Sequence, residues 1–189
     1  DRRLVGTEVS VRTELEVPTP GGGTERVRLT GYIDRVEEDA GGRLVAIDLK
    51  NMKYPPKPGE IPEHGQLGVY QLLLRDGGWR PDADGTDGAD AVVADVADAD
   101  GADEAERLPV GGAALVQLRA AQSSTDPAAK VQFQEALPDD EPTWVEVRLG
   151  QAAAILRSER FDAVPGAACS YCALRSSCPT QAVGRPVVP

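Results

Sequence analysis

The chain has 189 residues and a formal net charge of −11, with ordinary hydrophobic content and few aromatic residues. That length suits one domain with a sizeable core, and no run of about 18 apolar residues offers a transmembrane helix. The acidity is local: Asp76 to Glu106 holds eleven acidic residues and one basic one, Arg80, so the remainder is close to neutral and an anionic partner such as DNA is not excluded.

Glu8 to Val17 alternates apolar and polar residues at the period of a half-buried strand. The glycine-rich turn PTPGGGTE leads to a second strand, Arg26 to Val36, and the short loop EDAGG to a third, Arg43 to Lys50. In that third strand Val45, Ile47 and Leu49 are expected to point into the core. Asp48 and Lys50 then share the other face, about 7 Å apart along the chain. Lys53 to Pro62 carries four prolines and reads as an extended connection. His64 to Arg75 has helical spacing, with Leu67, Tyr70 and Leu74 on one stripe, and Gly77-Gly78 ends it.

The stretch 79–107 is Asp/Ala/Gly-rich and lacks apolar residues to offset ordering entropy, so it reads as a surface insertion, with a possible Ala/Val turn of helix near Val92–Val96. Ala113 to Arg119, Lys130 to Leu137 and Thr143 to Leu149 read as further strands, and Gln151 to Arg160 as a helix of strong formers. The order predicts an α/β fold with a mixed central sheet flanked by helices. We expect a core domain over 1–168 and a cysteine-containing staple and tail over 169–189. The sequence does not begin with Met and opens almost directly on a strand, which we read as a piece of a longer chain. The start has no signal-peptide pattern. The Arg-over-Lys bias, with lysine only at positions 50, 53, 57 and 130, together with abundant Ala, Gly and Asp, suggests a GC-rich bacterial genome, and we expect a cytoplasmic protein.

The chemistry concentrates between Leu29 and Tyr70. Asp34 ends the second strand and Asp48 lies on the third, so strand pairing can bring the two carboxylates together. Converging carboxylates repel unless a hard cation such as Mg²⁺ sits between them. A neighbouring lysine can orient a water or neutralise a phosphoryl transition state. Asp48-Leu49-Lys50 alone also fits a structural ion pair on a sheet surface, and Gln66 with Tyr70, at i and i+4, also fits an ordinary amphipathic helix. The combination is more specific. Gly31-Tyr32-Ile33-Asp34, Asp48-Leu49-Lys50 and Gln66-Leu67-Gly68-Val69-Tyr70 together resemble the PD-(D/E)XK nuclease superfamily, and within it the RecB-type nucleases of AddB- and AdnB-like helicase–nucleases.

The resemblance implies a Mg²⁺- or Mn²⁺-dependent deoxyribonuclease of exonuclease type acting at double-strand breaks. In it Asp34, Asp48 and the Leu49 carbonyl would hold the metal, Lys50 would be the catalytic lysine, and Gln66 and Tyr70 would place the water or the DNA strand. Glu8 matches a frequent glutamate of the family. Partners implied are DNA, helicase domains of the same polypeptide and a second helicase–nuclease subunit, with no membrane. Arg35, Lys53 and Lys57 are candidate phosphate contacts, with solvated surface charge the alternative. Two departures stand out: Asn51-Met52 follow the lysine where relatives have Thr-Gly, and no helix bearing an upstream His or Glu precedes Glu8. The sole histidine, His64, sits at the start of the helix. An incomplete site would leave a non-catalytic DNA-end-binding or structural module.

Cys169, Cys172 and Cys178 are the only cysteines, spaced C-x₂-C-x₅-C. Clustered thiols favour metal over a structural disulfide. The spacing resembles the end of the iron–sulfur staple of AddB- and AdnB-type nucleases, which implies a [4Fe–4S] cluster in an intact protein whose fourth cysteine lies upstream. Within these 189 residues zinc, an empty site and a disulfide remain open.

Overall fold

The structure is a computed structural model that describes residues 2–77, 79, 107–140 and 142–184. The expected insertion, including the turn near Val92–Val96, lies outside the described residues except at its two ends. Five strands form one sheet in sequence order: β1 (Arg2–Pro18), β2 (Thr24–Asp39), β3 (Leu44–Lys50), β4 (Val110–Ala121) and β5 (Ala129–Gln134). Neighbours run antiparallel except β3 and β4, which are parallel. A parallel pair needs a crossover, and helix α1 (Gly65–Asp76) lies in that connection. The fold is therefore the mixed α/β sheet that the sequence pattern implies.

Local chemistry sets the strand ends. Gly22 and Gly23 take φ of 82° and 85° in the β1–β2 turn, a region open to glycine at little cost. At the β2–β3 turn the Asp39 carboxylate accepts from the Gly41 and Arg43 backbone N–H groups and from the Arg43 guanidinium. These bonds, chiefly those from Arg43, hold the Asp39 carboxyl below its ordinary pKa.

The main core lies between the sheet and α1. It joins Val9 and Val11 of β1, Ile33 and Val36 of β2, Leu44 and Ala46 of β3, and Ala113 and Leu115 of β4 to Leu67, Leu73 and Leu74 of α1. Val45, Ile47 and Ala114 form a smaller cluster on the opposite face. This corrects the expected facing of β3. The face that carries Asp48 is the main core face, whereas Leu49 is 45% exposed. The alternation holds, but alternation cannot say which side of a doubly covered strand meets the larger core.

A second correction concerns Thr143 to Leu149. This segment is the start of helix α2 (Trp144–Ser158), not a strand, and the helix expected from Gln151 is its second half. The cause is a reciprocal cap. The Thr143 hydroxyl accepts from the Glu146 N–H at 3.5 Å, and the Glu146 carboxylate accepts from the Thr143 N–H at 2.6 Å. That T-x-x-E box nucleates a helix despite the β-branched residues that follow. The first turn of α2 packs on α1 at Gly68, where an added Cβ would lie 2.5 Å from Val145. Gly150 approaches the β1–β2 turn still more closely, since a Cβ there would lie 1.8 Å from the Pro18 carbonyl oxygen.

The chain divides into two compact units, Asp1–Gln151 and Ala152–Pro189, a division inside α2. The second unit contains the rest of α2 and two short 3₁₀ turns, Ala167–Tyr171 and Arg175–Ser177. Among the described residues, no helix is long and apolar enough to cross a membrane.

Candidate active site

The site begins where two strands part. Along β2 and β3 the paired residues are Glu38↔Leu44, Glu37↔Val45, Val36↔Ala46 and Arg35↔Ile47, and there the ladder stops. The next step would set Asp34 across from Asp48, on the same face. The alternation of narrow and wide pairs makes Ile33 and Leu49 the next hydrogen-bonding partners. Instead the Leu49 N–H donates to Asp34 Oδ2 at 2.7 Å. A side-chain carboxylate thus replaces a backbone acceptor and wedges the strands apart. The N–H and C=O of one strand residue point to the same side, so the Leu49 carbonyl opens into the same fork.

Strand β1 bends with β2 at this level. Ile33 and Val36 both belong to the main core although three residues apart, so β2 changes face at Asp34–Arg35. On β1 the change falls at Glu8, which lies between the pairs Thr7↔Arg35 and Val9↔Ile33 and has φ of 50°. A non-glycine residue with positive φ inside a strand is strained. Glu8 is therefore at the register position of Asp34, as a backbone kink with an exposed side chain.

Asp48 is the centre. It is 2% exposed on the core face of β3. Its Oδ1 accepts from the Gln66 amide at 3.0 Å and the Tyr70 hydroxyl at 3.3 Å, and Gln66 also donates to Tyr70 at 2.8 Å. Among the described residues its buried Oδ2 accepts no hydrogen bond of good geometry, and its one ionic partner is Lys50 Nζ at 2.7 Å. Burial, and then the negative charges of Asp48 and Asp34, raise the Tyr70 pKa above its ordinary value, although the bond from Gln66 opposes this. The hydroxyl therefore stays a donor. Gly31 lets the helix come this close to β2, because Leu73 and Tyr70 lie 3.3 Å and 4.0 Å from where its Cβ would be.

A set of glutamines that the sequence reading did not single out ties α1 and the proline-rich connection to β5. The proline-rich connection has carbonyls but few N–H groups to pair, and buried carbonyls need donors. Gln132 donates to the Pro56 carbonyl at 2.8 Å, and Gln134 to that of Ile61 at 2.8 Å. Gln71 of α1 donates to Gln134 and to the Glu135 carbonyl, and accepts from the Leu137 N–H. Gln117 donates to Gln132 at 3.1 Å. All four glutamines are buried. The sequence signal is confined to Gln132 and Gln134, which stand at alternate positions in a strand-like run.

The other expected residues are dispersed. Arg35 pairs with Glu37 at 2.7 Å, Lys53 lies over the Tyr54 ring at 5.2 Å, and the Lys57 backbone N–H is capped by Glu60. His64 is the N-cap of α1, with its carbonyl accepting from Gly68. The three cysteines are free thiols. Cys178 lies 3.2 Å from the Thr180 hydroxyl, and that bond is the first cause of its lowered thiol pKa. Among the described residues no three His, Cys, Asp or Glu side chains gather into a metal-holding group. The cysteines, three thiols that do not converge, do not by themselves fit a [4Fe–4S] cluster, which takes four.

For a hard divalent cation the fit is better. Asp48 Oδ2 is a buried, poorly satisfied carboxylate oxygen, and Asp34 and the Leu49 carbonyl add oxygen donors of the kind Mg²⁺ and Mn²⁺ take.

The chain belongs to the PD-(D/E)XK nuclease superfamily, whose family model matches residues 1–179. Members are mostly metal-dependent nucleases and generally use divalent metals, so this is a nuclease-like domain. Among solved structures, the crystal structure of SSO0001 is 17% identical with a TM-score of 0.41, covering 93% of this chain. The chain spans 60% of the length of that protein. No curated protein matches it.

Proposed function

We propose that this domain hydrolyses DNA phosphodiester bonds with Mg²⁺ or Mn²⁺, as the nuclease domain of a bacterial RecB/AdnB-like helicase–nuclease that processes double-strand breaks. The observation that carries the reading is the convergence of Lys50, Gln66 and Tyr70 on one buried carboxylate, Asp48, beside a strand fork held open by Asp34. Asp34, Asp48 and the Leu49 carbonyl would hold the cation. When bound, it supplies Lewis acidity and charge neutralisation at phosphorus.

The chain's own groups do the rest. Lys50, fixed at its tip by Asp48, presents N–H donors to a phosphate oxygen or to the attacking water. Gln66 and Tyr70 fix the Asp48 carboxylate by its other oxygen, so it need not reorganise during reaction. Tyr70 remains protonated and serves as donor rather than base. Arg35, Lys53 and Lys57 would contact phosphates at the rim. Helicase domains of the same polypeptide and a second subunit would complete the machine in the cytoplasm. In that reading a [4Fe–4S] staple needs a further cysteine from outside these residues.

Digestion of linear single-stranded DNA with Mg²⁺ or Mn²⁺ tests the reading. Wild type should cut, EDTA should abolish cutting, and Asp48→Ala should lower the rate by about a hundredfold or more. Equal cutting by wild type and Asp48→Ala, or cutting that survives EDTA, would overturn it.

A further inference from the structure

We propose that Gln117 is a positioning residue for Lys50: its side-chain oxygen is a second acceptor which, with Asp48, orients the Lys50 ammonium. The kinetic consequence of this pairing rests on the nuclease reading above.

Three observations carry it. The parallel register of β3 and β4 pairs Lys50 with Gln117 and Asp48 with Leu115. Partners in register share a face of the sheet, and neighbouring strands lie about 4.8 Å apart. Leu115 faces the main core, so Gln117, two residues on, lies on the face that carries the site. Gln117 is fully buried, and its Oε1 has no hydrogen-bond partner among the described residues.

The orientation of that amide is not arbitrary. Pro56 offers Gln132 a carbonyl, which can only accept, so Gln132 must turn its NH₂ toward it. The Gln132 oxygen then faces Gln117 and takes the Gln117 NH₂ at 3.1 Å. Two successive bonds thus fix Gln117 Oε1 as an acceptor with nothing to accept. Lys50 has the complementary deficit. Its ammonium carries three donors and, among the described residues, meets one acceptor, Asp48 Oδ2. An orphan buried acceptor in register with a lysine that has donors to spare on the next strand is a pairing that rotation of the flexible lysine side chain can complete. With two acceptors the ammonium has a defined direction; with one it can swing about the Asp48 contact.

Side-chain amide NMR of the ¹⁵N-labelled 189-residue chain tests the pairing without reference to activity. The Gln117 NH₂ pair is identified by its disappearance in Gln117→Met. Lys50→Met should shift it, while Lys57→Met should leave it in place. Lys50→Arg, which keeps donors and charge, should move it less than Lys50→Met. An unmoved Gln117 signal in Lys50→Met would overturn the proposal. In the cleavage assay, Gln117→Met should lower kcat about tenfold with KM unchanged, as misdirection of a catalytic group does. A raised KM at unchanged kcat, or unaltered kinetics, would also overturn it. Should wild type itself fail to cut DNA, the nuclease reading falls, and the NMR result alone decides whether Gln117 and Lys50 are partners.

Discussion

The sheet region and the cysteine segment are built on opposite terms. In the sheet, contacts reach far along the sequence: Asp48 meets Gln66 and Tyr70, and Gln134 meets Ile61. The side chains that fix the site are backed by a core fully closed at Ile33, Leu67, Leu73 and Leu115. Between residues 166 and 184 the backbone bonds are instead a relay of short turns, each reaching three residues back, as from Cys169 to Gly166 and from Cys172 to Cys169. None of residues 152–184 is buried, and Phe161, Tyr171 and Leu174 are 71%, 89% and 72% exposed. The first region holds its reactive groups by burial. The second presents three thiols on a segment with no apolar interior of its own, so what order it has must come from local turns or from something the thiols or its apolar side chains bind.

The most severe test of this contrast removes the same kind of side chain from each region. Leu115→Ala should cost about 2–5 kcal/mol in urea unfolding, the range for a buried leucine. Leu174→Ala should stay within about 0.5 kcal/mol. A large loss from Leu174→Ala would mean the cysteine segment does have a core. A smaller effect should appear within the sheet, at the kink. Glu8→Gly relieves a positive φ and should stabilise by about 1 kcal/mol. Assayed for cleavage alongside its thermal midpoint, it separates two roles: unchanged cleavage makes Glu8 a bend only, and loss of cleavage in a more stable protein makes its carboxylate functional. The smallest effect is in pH. Asp76, at the end of α1, is raised above 3.8 first by burial, against the opposing pull of Arg75 and then Arg107. A carboxyl with a raised folded-state pKa binds its proton more tightly when folded. Its contribution to unfolding free energy therefore falls as pH rises from 3.8 through the raised value. Asp76→Asn should lack that slope in urea titrations across this window, and an identical slope would place the titrating group elsewhere.

Much of the sheet was legible because alternation is strong where one face is wet. β1 and β2 were recognised from Val9, Val11 and their polar neighbours, and the turns from their glycines. The β2–β3 hairpin, whose ladder stops one step short of setting Asp34 across from Asp48, followed from the short loop between those strands. Three things were not legible. The facing of β3 depended on which of two clusters was larger, a tertiary fact. Thr143–Leu149 alternates like a strand, and only the Thr143–Glu146 cap, visible as T-x-x-E but outweighed by Val145 and Val147, reverses it. The buried glutamines look like ordinary polar strand residues until the prolines they serve are brought alongside. The role of Glu8 as a kink needed backbone angles.

The Asp34 bond to Leu49 has a consequence for how this domain should be mutated. One carboxylate, a metal ligand in the proposed reaction, also acts as a chock between two strands. Asp34→Asn keeps an oxygen to accept the Leu49 N–H, so the fork stays open while charge is lost. Asp34→Ala removes the chock, and Leu49 is free to find the Ile33 carbonyl. The ladder could then zip shut by one further pair, closing the gap into which the Leu49 carbonyl opens. An inactive alanine variant would therefore report a change of sheet geometry as much as the loss of a ligand, and the asparagine variant is the one that isolates chemistry from shape.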